Sequence, residues 1–271
     1  MSSILVGVDV PASTEVDPVA AARGAEALGF DFVSTSDHPS GTDPSHESWT
    51  MLAWMAAHTE RIGVMPRVLG VPYRRPAMVA KMAETLDRLS RGRLILGLGG
   101  GASDEEFRAF GIDVPSPRDK VDGLAEAIEI IRGLWTGPAT TYTGRIHHVD
   151  AAPMEPKPAR RIPIWLGTFG PRALDVTGRL ADGWMPSLGY APLDALPAMR
   201  ARVLAAAERA GRSPEDVTCA LNVEVRAGDD TADRLRALVA MGFTVLNLKV
   251  PGPGRDEQVE RLALQVLPQL R

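Results

Sequence analysis

The sequence predicts an α/β protein, a single-domain (β/α)8 TIM barrel over residues 1–271, and three observations carry the prediction. Strand-like and helix-like segments alternate from one end of the chain to the other. Eight such units follow one another, and a closed barrel removes the two edges that an open parallel sheet of eight strands would leave unpaired. No Ser/Gly linker or charge run divides the chain, so nothing marks a second domain.

The elements follow in order. Residues 4–10 form the first strand, and Asp17-Pro18 gives the next helix, 17–28, a cap and a first-turn proline. The β-branched and aromatic run 32–36 is the second strand, with a helix at 47–58 behind it. The apolar run 62–71 is the third strand. Pro76 opens a helix to Leu89 on which Met78, Val79, Met82, Leu86 and Leu89 keep the helical period. The fourth strand, 94–98, ends in a glycine cluster. A capping box, Ser103-Asp104-Glu105-Glu106, follows, and then a long amphipathic helix, 119–135, whose buried stripe is Val121, Leu124, Ala125, Ile128 and Ile131. Residues 136–161, rich in proline, read as an irregular connection with a hairpin near 140–149. Strands at 162–166, 183–186, 217–225 and 243–250 then alternate with helices at 171–180, 192–210, 231–241 and 256–270.

Composition excludes several classes of function. With 30 Lys and Arg spread among 34 Asp and Glu, the formal net charge is −4 and no basic stripe marks a nucleic-acid partner. Cys219 is the single cysteine, which excludes an intrachain disulfide and fits a reducing compartment. Residues 4–10, carrying Gly7 and Asp9, are too short for a signal peptide core, and no segment is long and apolar enough to span a bilayer. A cytoplasmic protein is expected. Of the five histidines only His147 and His148 are close, and neighbours in a strand point to opposite faces, so no metal site is expected. A Gly-x-Ser-x-Gly elbow is missing as well, which leaves a hydrolase without its nucleophile.

The chemistry is expected where barrel strands end. Asp37 and His38 leave the second strand as an acid and a titratable base on one loop rim, either a catalytic pair or residues that hold loop backbone. Near them fall the third-strand segment 67–73, the glycines 97–101 and the loop Gly167-Thr168-Phe169-Gly170. Two glycine loops side by side allow backbone N–H groups to approach a large cofactor. The acidic turn 104–106 would repel a pyrophosphate at that helix end, which disfavours a nicotinamide dinucleotide. Gly170 precedes Pro171 at a first helical position, so this loop, with Arg172, is the expected seat of one phosphate.

Taken in order, Leu28-Gly29-Phe30-Asp31, Ser36-Asp37-His38, Pro72-Tyr73-Arg74-Arg75-Pro76, residues 86–93, Gly97-Leu98-Gly99-Gly100-Gly101, Phe110-Gly111-Ile112, Gly133-Leu134-Trp135, Ile164-Trp165-Leu166-Gly167, Gly170-Pro171-Arg172-Ala173 and Ala181-Asp182-Gly183-Trp184 resemble the bacterial luciferase-like monooxygenase superfamily. The resemblance runs from Asp17 to Trp184 and looks closest to the branch that uses coenzyme F420, a 5-deazaflavin. It implies a TIM-barrel oxidoreductase, a homodimer, that passes hydride between F420 and a small organic substrate at the barrel mouth. By the same resemblance, Asp37 and His38 face the ring and Arg67-Val68 forms a bulge behind it, with a non-proline cis peptide. Gly99, Gly100 and Gly101 form the ring-side glycine loop, and Gly167, Thr168, Phe169 and Gly170 take the tail phosphate. Two positions depart from the pattern: Arg67 stands where relatives have a small residue, and Ala102-Ser103 replaces a frequent aromatic. A deazaflavin passes hydride only, so a protein group must handle one proton, and His38 is the candidate. An FMN-dependent monooxygenase and a non-catalytic flavin-binding barrel remain as alternatives. The substrate pocket shows no distinctive cluster in the sequence.

Overall fold

Parallel strands covered on both faces must be apolar throughout, and β1 (Leu5–Asp9) is buried from Val6 to Asp9. This computed structural model describes residues 4–271. After β1 come α1 (Pro18–Ala27), β2 (Phe32–Thr35), α2 (Ser48–Ala57), β3 (Gly63–Pro66), β4 (Leu69–Gly70), α3 (Pro76–Leu89), β5 (Leu96–Gly99), α4 (Asp104–Ala109) and α5 (Pro117–Thr136). The second half adds β6 (Thr140–Thr143), β7 (His148–Ala152), β8 (Ile164–Leu166), α6 (Pro171–Leu180), β9 (Gly183–Trp184), α7 (Leu196–Arg209), β10 (Thr218–Glu224), α8 (Thr231–Ala240), β11 (Val245–Lys249), α9 (Arg255–Gln265) and α10 (Leu267–Leu270).

Nine strands form one sheet in the order β3-β2-β1-β11-β10-β9-β8-β5-β4, with every pairing parallel. β3 and β4 are two halves of one stave, so the expected third strand is real but broken. The break falls at Arg67-Val68, whose peptide is cis. β3 pairs with β2 and β4 with β5, and Val64 bridges Leu94 at the other end, so the sheet closes into the expected barrel of eight staves. Phe32, Met65, Trp165, Met185, Ala220 and Val245 pack together as a core of their own. The expected hairpin is the separate pair β6–β7, with Thr143 opposite His148.

Local sequence rules explain most helix ends. Asp17 accepts the N–H groups of Val19 and Ala20, and proline occupies the first turn of α1, α3, α5 and α6. The buried stripe of α3 differs from expectation. Met78 and Leu89 lie in solvent, while Val79, Ala80, Ala83 and Leu86 face inward with Glu84 and Asp87. Small Ala80 admits the α5 indole, since Trp135 Nε1 donates to its carbonyl at 3.0 Å. Ion pairs with Arg88 and Arg160 offset the burial of the two acids. On α5, Leu124, Ile128 and Ile131 are buried as expected, while Val121 and Ala125 are half-buried.

Candidate functional site

At the carboxyl end of the staves lies a cavity of about 930 Å³, lined by residues from the ends of β1, β2, β4, β5, β8, β10 and β11. His38, Arg67, Val68, Gly99, Gly100, Gly101, Gly167 and Phe169 all border it, so the four loops expected to converge do so. The Val68 side chain forms a ridge between the two glycine loops. A Cβ on Gly99 would lie 2.6 Å from Val68 Cγ2, and one on Gly167 would lie 3.2 Å from it. These glycines therefore admit Val68, which presents an apolar platform to the cavity. Gly101 is fixed separately, by a φ of +85° and by the Phe107 ring beneath it.

Asp37 borders the cavity but is held on both oxygens as part of the scaffold. One oxygen accepts the Ser48 hydroxyl at 2.6 Å, the other the Gly70 N–H at 2.9 Å, and Arg74 engages both at 2.8 and 3.0 Å. Its side chain is 1% exposed, so it pins α2 and the end of β4 under the rim and has no lone pair to spare for proton transfer. Burial alone would weaken Arg74 as a cation, but Asp37 and Glu47 together raise its pKa.

His38 has the opposite character: its side chain is 53% exposed. Nδ1 lies 2.8 Å from Glu106 Oε1, and the Tyr73 hydroxyl donates to Glu106 Oε2 at 2.7 Å. The capping box is thus half realised. Ser103 Oγ accepts the Glu106 N–H at 3.2 Å, but the Glu106 carboxylate turns to His38 and Tyr73. Burial, then the Glu106 carboxylate, pushes the Tyr73 phenol well above its ordinary range, so it stays a donor at any working pH.

Sequence reading placed Arg67 at the site but missed the charged floor that it builds with Asp9. Arg67 reaches across the barrel to Asp9, with Nε at 3.2 Å and Nη2 at 3.0 Å from Oδ1, and Arg255 donates to the Asp9 carbonyl at 2.6 Å. Beside it runs a buried polar ladder. Ser34 donates to Asn247, Asn247 to Asn222, and Asn222 to Ser187, at 3.0, 2.8 and 3.1 Å. A polar residue mid-strand in a barrel was the available signal.

In the loop after β8, Thr168 is corrected: it is buried, with Oγ1 2.7 Å from Thr177 Oγ1, and it turns away from the cavity. Gly170 caps α6 without a side-chain bond, and the first turn of that helix carries no acid. Arg172 does not point free toward the cap, because Asp122 holds its guanidinium. Among the described residues, the N–H groups of Gly100, Gly101, Phe169 and Gly170 find no acceptor in the chain. Also among the described residues, no group of three or more His, Cys, Asp or Glu is placed to hold a metal ion.

The description "Luciferase-like monooxygenase" belongs to the family model that matches residues 7–264. The chain is 34% identical over 228 residues to an F420-dependent glucose-6-phosphate dehydrogenase of Nakamurella multipartita, covering 80% of this chain and 64% of that one. It is also 34% identical over 247 residues to an F420-dependent hydroxymycolic acid dehydrogenase of Mycobacterium tuberculosis, covering 87% and 65%. The chain therefore spans somewhat less than two thirds of the length of these relatives. A solved F420-dependent secondary alcohol dehydrogenase, in complex with an F420-acetone adduct, superposes with a TM-score of 0.90 at 18% identity over 99% of both chains. Long-chain alkane monooxygenase (LadA) superposes at 0.85 and 14% identity, covering 100% of this chain and 91% of that one. At these identities the structural likeness shows the fold.

Proposed function

The chain belongs to the luciferase-like monooxygenase family, and from that premise we propose that it is an F420-dependent oxidoreductase acting on a small organic hydroxyl or carbonyl compound. The observation that carries the proposal is the platform of Val68 between Gly99 and Gly167, with a half-exposed imidazole, His38, on the same cavity. Relatives named as F420-dependent dehydrogenases support the choice of deazaflavin over FMN.

The residues fit such a cofactor on two grounds. The platform offers an apolar surface for a flat ring, and the N–H groups at Phe169 and Gly170, unpaired among the described residues, with the uncapped N-terminus of α6, suit a tail phosphate. Val68, Gly99, Gly100 and Gly101 would hold the ring, and Gly167, Phe169 and Gly170 the tail. When bound, F420 supplies a two-electron hydride acceptor or donor. His38 takes the proton that a substrate hydroxyl loses as its carbon becomes a carbonyl, and returns it in the reverse direction. The rim loops hold the reacting carbon near the ring. Arg67 and Asp9 form the polar floor that a substrate meets.

Fluorescence titration with F420, FMN and NADP, followed by turnover with secondary alcohols and sugar phosphates, tests this. F420 binding in preference to the others is expected. Tight FMN binding with no detectable F420 binding would overturn the proposal in favour of an oxygen-activating monooxygenase, and F420 binding without any turnover would favour a carrier.

The proposal includes a cytoplasmic homodimer. The single cysteine and the lack of a membrane-length helix among the described residues support the compartment, and exposed Trp54 and Met78 on α2 and α3 support self-association. Light scattering that reports a monomer at micromolar concentration contradicts the dimer.

A further inference from the structure

We propose that Glu106 is the positioning residue of the proton-transfer step: with Tyr73 locked on its second oxygen, it fixes the tautomer of His38 that presents Nε2 to substrate. This deepens the oxidoreductase proposal and rests on it for the identity of the reaction, though not for the geometry. An ionised carboxylate only accepts hydrogen bonds, so His38 Nδ1, at 2.8 Å, must carry the proton. The neutral imidazole then keeps its lone pair on Nε2. When a substrate hydroxyl proton arrives there, the ring becomes a cation beside the Glu106 carboxylate.

The other contacts make Glu106 rigid. Its backbone N–H is capped by Ser103 Oγ at 3.2 Å, and Tyr73, which donates to it, packs against the Phe107 ring with centroids 5.0 Å apart. Neighbouring charges are already matched, Asp37 by Arg74 at 2.8 Å and Asp104 by Lys120 at 2.7 Å. The carboxylate thus faces two donors, one on each oxygen, and cannot turn away from His38 without losing Tyr73.

Three proteins, wild type, Glu106→Gln and Tyr73→Phe, test this by nitrogen NMR of the His38 ring without cofactor and by turnover kinetics with it. In wild type the ring nitrogen shifts should report the Nδ1–H form. Glu106→Gln should abolish the preference for the Nδ1–H form, since an amide can donate as well as accept, and should lower turnover about 10-fold to 10²-fold with KM little changed. Tyr73→Phe should keep the ring packing, release the second oxygen of Glu106 and lower turnover less than Glu106→Gln does. An Nε2–H tautomer in wild type, or a tautomer balance unmoved by Glu106→Gln, overturns the proposal. Because the NMR arm needs no F420, a wild type that fails to bind F420 would sink the functional proposal while the positioning role is decided separately.

Discussion

The two ends of the barrel are built from the same chemical pairs and put them to different use. At the amino end, Glu26 Oε1 accepts the N–H groups of Glu60, Arg61 and Ile62 at 3.0, 2.6 and 2.9 Å, just before β3. Arg93 donates to the carbonyls of Ala56, Thr59 and Ile62, Asp87 takes the Leu94 N–H and Arg160, and Asp182 takes the Ile164 N–H with Arg132 and Arg161. Every one of these groups has its partners inside the chain. At the carboxyl end, Asp37 is equally saturated, but His38 stands half in solvent, four loop N–H groups lack acceptors among the described residues and the Arg67–Asp9 pair borders the cavity. Spent polar groups hold strands in register, and unspent ones are available to a ligand.

The comparison also separates motifs that look alike in sequence. Residues 86–93 and 181–184 carry the family resemblance as much as Asp37-His38 does, yet they are clamps at the end remote from the chemistry.

The largest expected effect breaks the rim alone. His38→Asn should lower turnover roughly 10²–10⁴-fold, the usual share of general acid–base catalysis, while the denaturation midpoint and the F420 dissociation constant change little. A loss of F420 binding instead would make His38 a binding residue. The complementary break is Asp87→Ala at the amino end, which removes the acceptor of the Leu94 N–H and the partner of Arg160 and should cost roughly 1–3 kcal/mol of stability with turnover per folded molecule unchanged. Urea melts and active-site titration read both quantities; a fall in turnover without a fall in stability would erase the distinction between the ends.

Gly99→Ala sharpens the comparison, because its Cβ would come within 2.6 Å of Val68 Cγ2 and push the platform into the ring's space. Overpacking of this kind costs about 1–3 kcal/mol, which would appear as roughly tenfold to hundredfold weaker F420 binding. Unchanged affinity would mean that Val68 is not the ring's support.

Smaller effects should appear in the pH dependence of stability. His147, on the connection from β6 to β7, is buried with neither ring nitrogen well partnered among the described residues, and burial, partly offset by Glu126 and the Gly123 backbone, holds its folded pKa below 6.5. The unfolded chain then binds the proton first, so stability falls as pH drops below 6.5, and His147→Phe should flatten that slope. Glu26 acts at lower pH. Burial raises its pKa, but the three N–H groups of residues 60–62 outweigh it and hold the folded value below 4.5. Its contribution is present above 4.5 and lost as pH falls through the folded value, and Glu26→Gln should remove that limb of the acid melt.

Much of this was legible in local sequence. Pro76–Leu89 and Pro171–Leu180 begin and end where the prolines and the helical period said, Asp17 caps α1, and the hairpin lies beside its expected place. The convergence of the loops at Asp37, Val68, Gly99 and Gly167 was also readable, since strand ends share one rim in a parallel barrel. Caps, turns and periods act over a few residues, and spacing alone records them.

Roles that depend on partners distant in the chain were not readable. Asp37 is a scaffold because Arg74 lies 37 residues on, and Glu106 leaves its cap for a histidine 68 residues away. Arg67 meets Asp9 across 58 residues, and Thr168 turns inward to Thr177. A carboxylate, a threonine or an arginine has the same local propensity whether it anchors a loop or meets a substrate. Which it does is fixed when the barrel closes and decides whose hydrogen bonds are already filled. The sequence by itself determined the barrel, its order of elements and the end at which the candidate site residues gather. Only closure decided which polar groups at that end remained free to act.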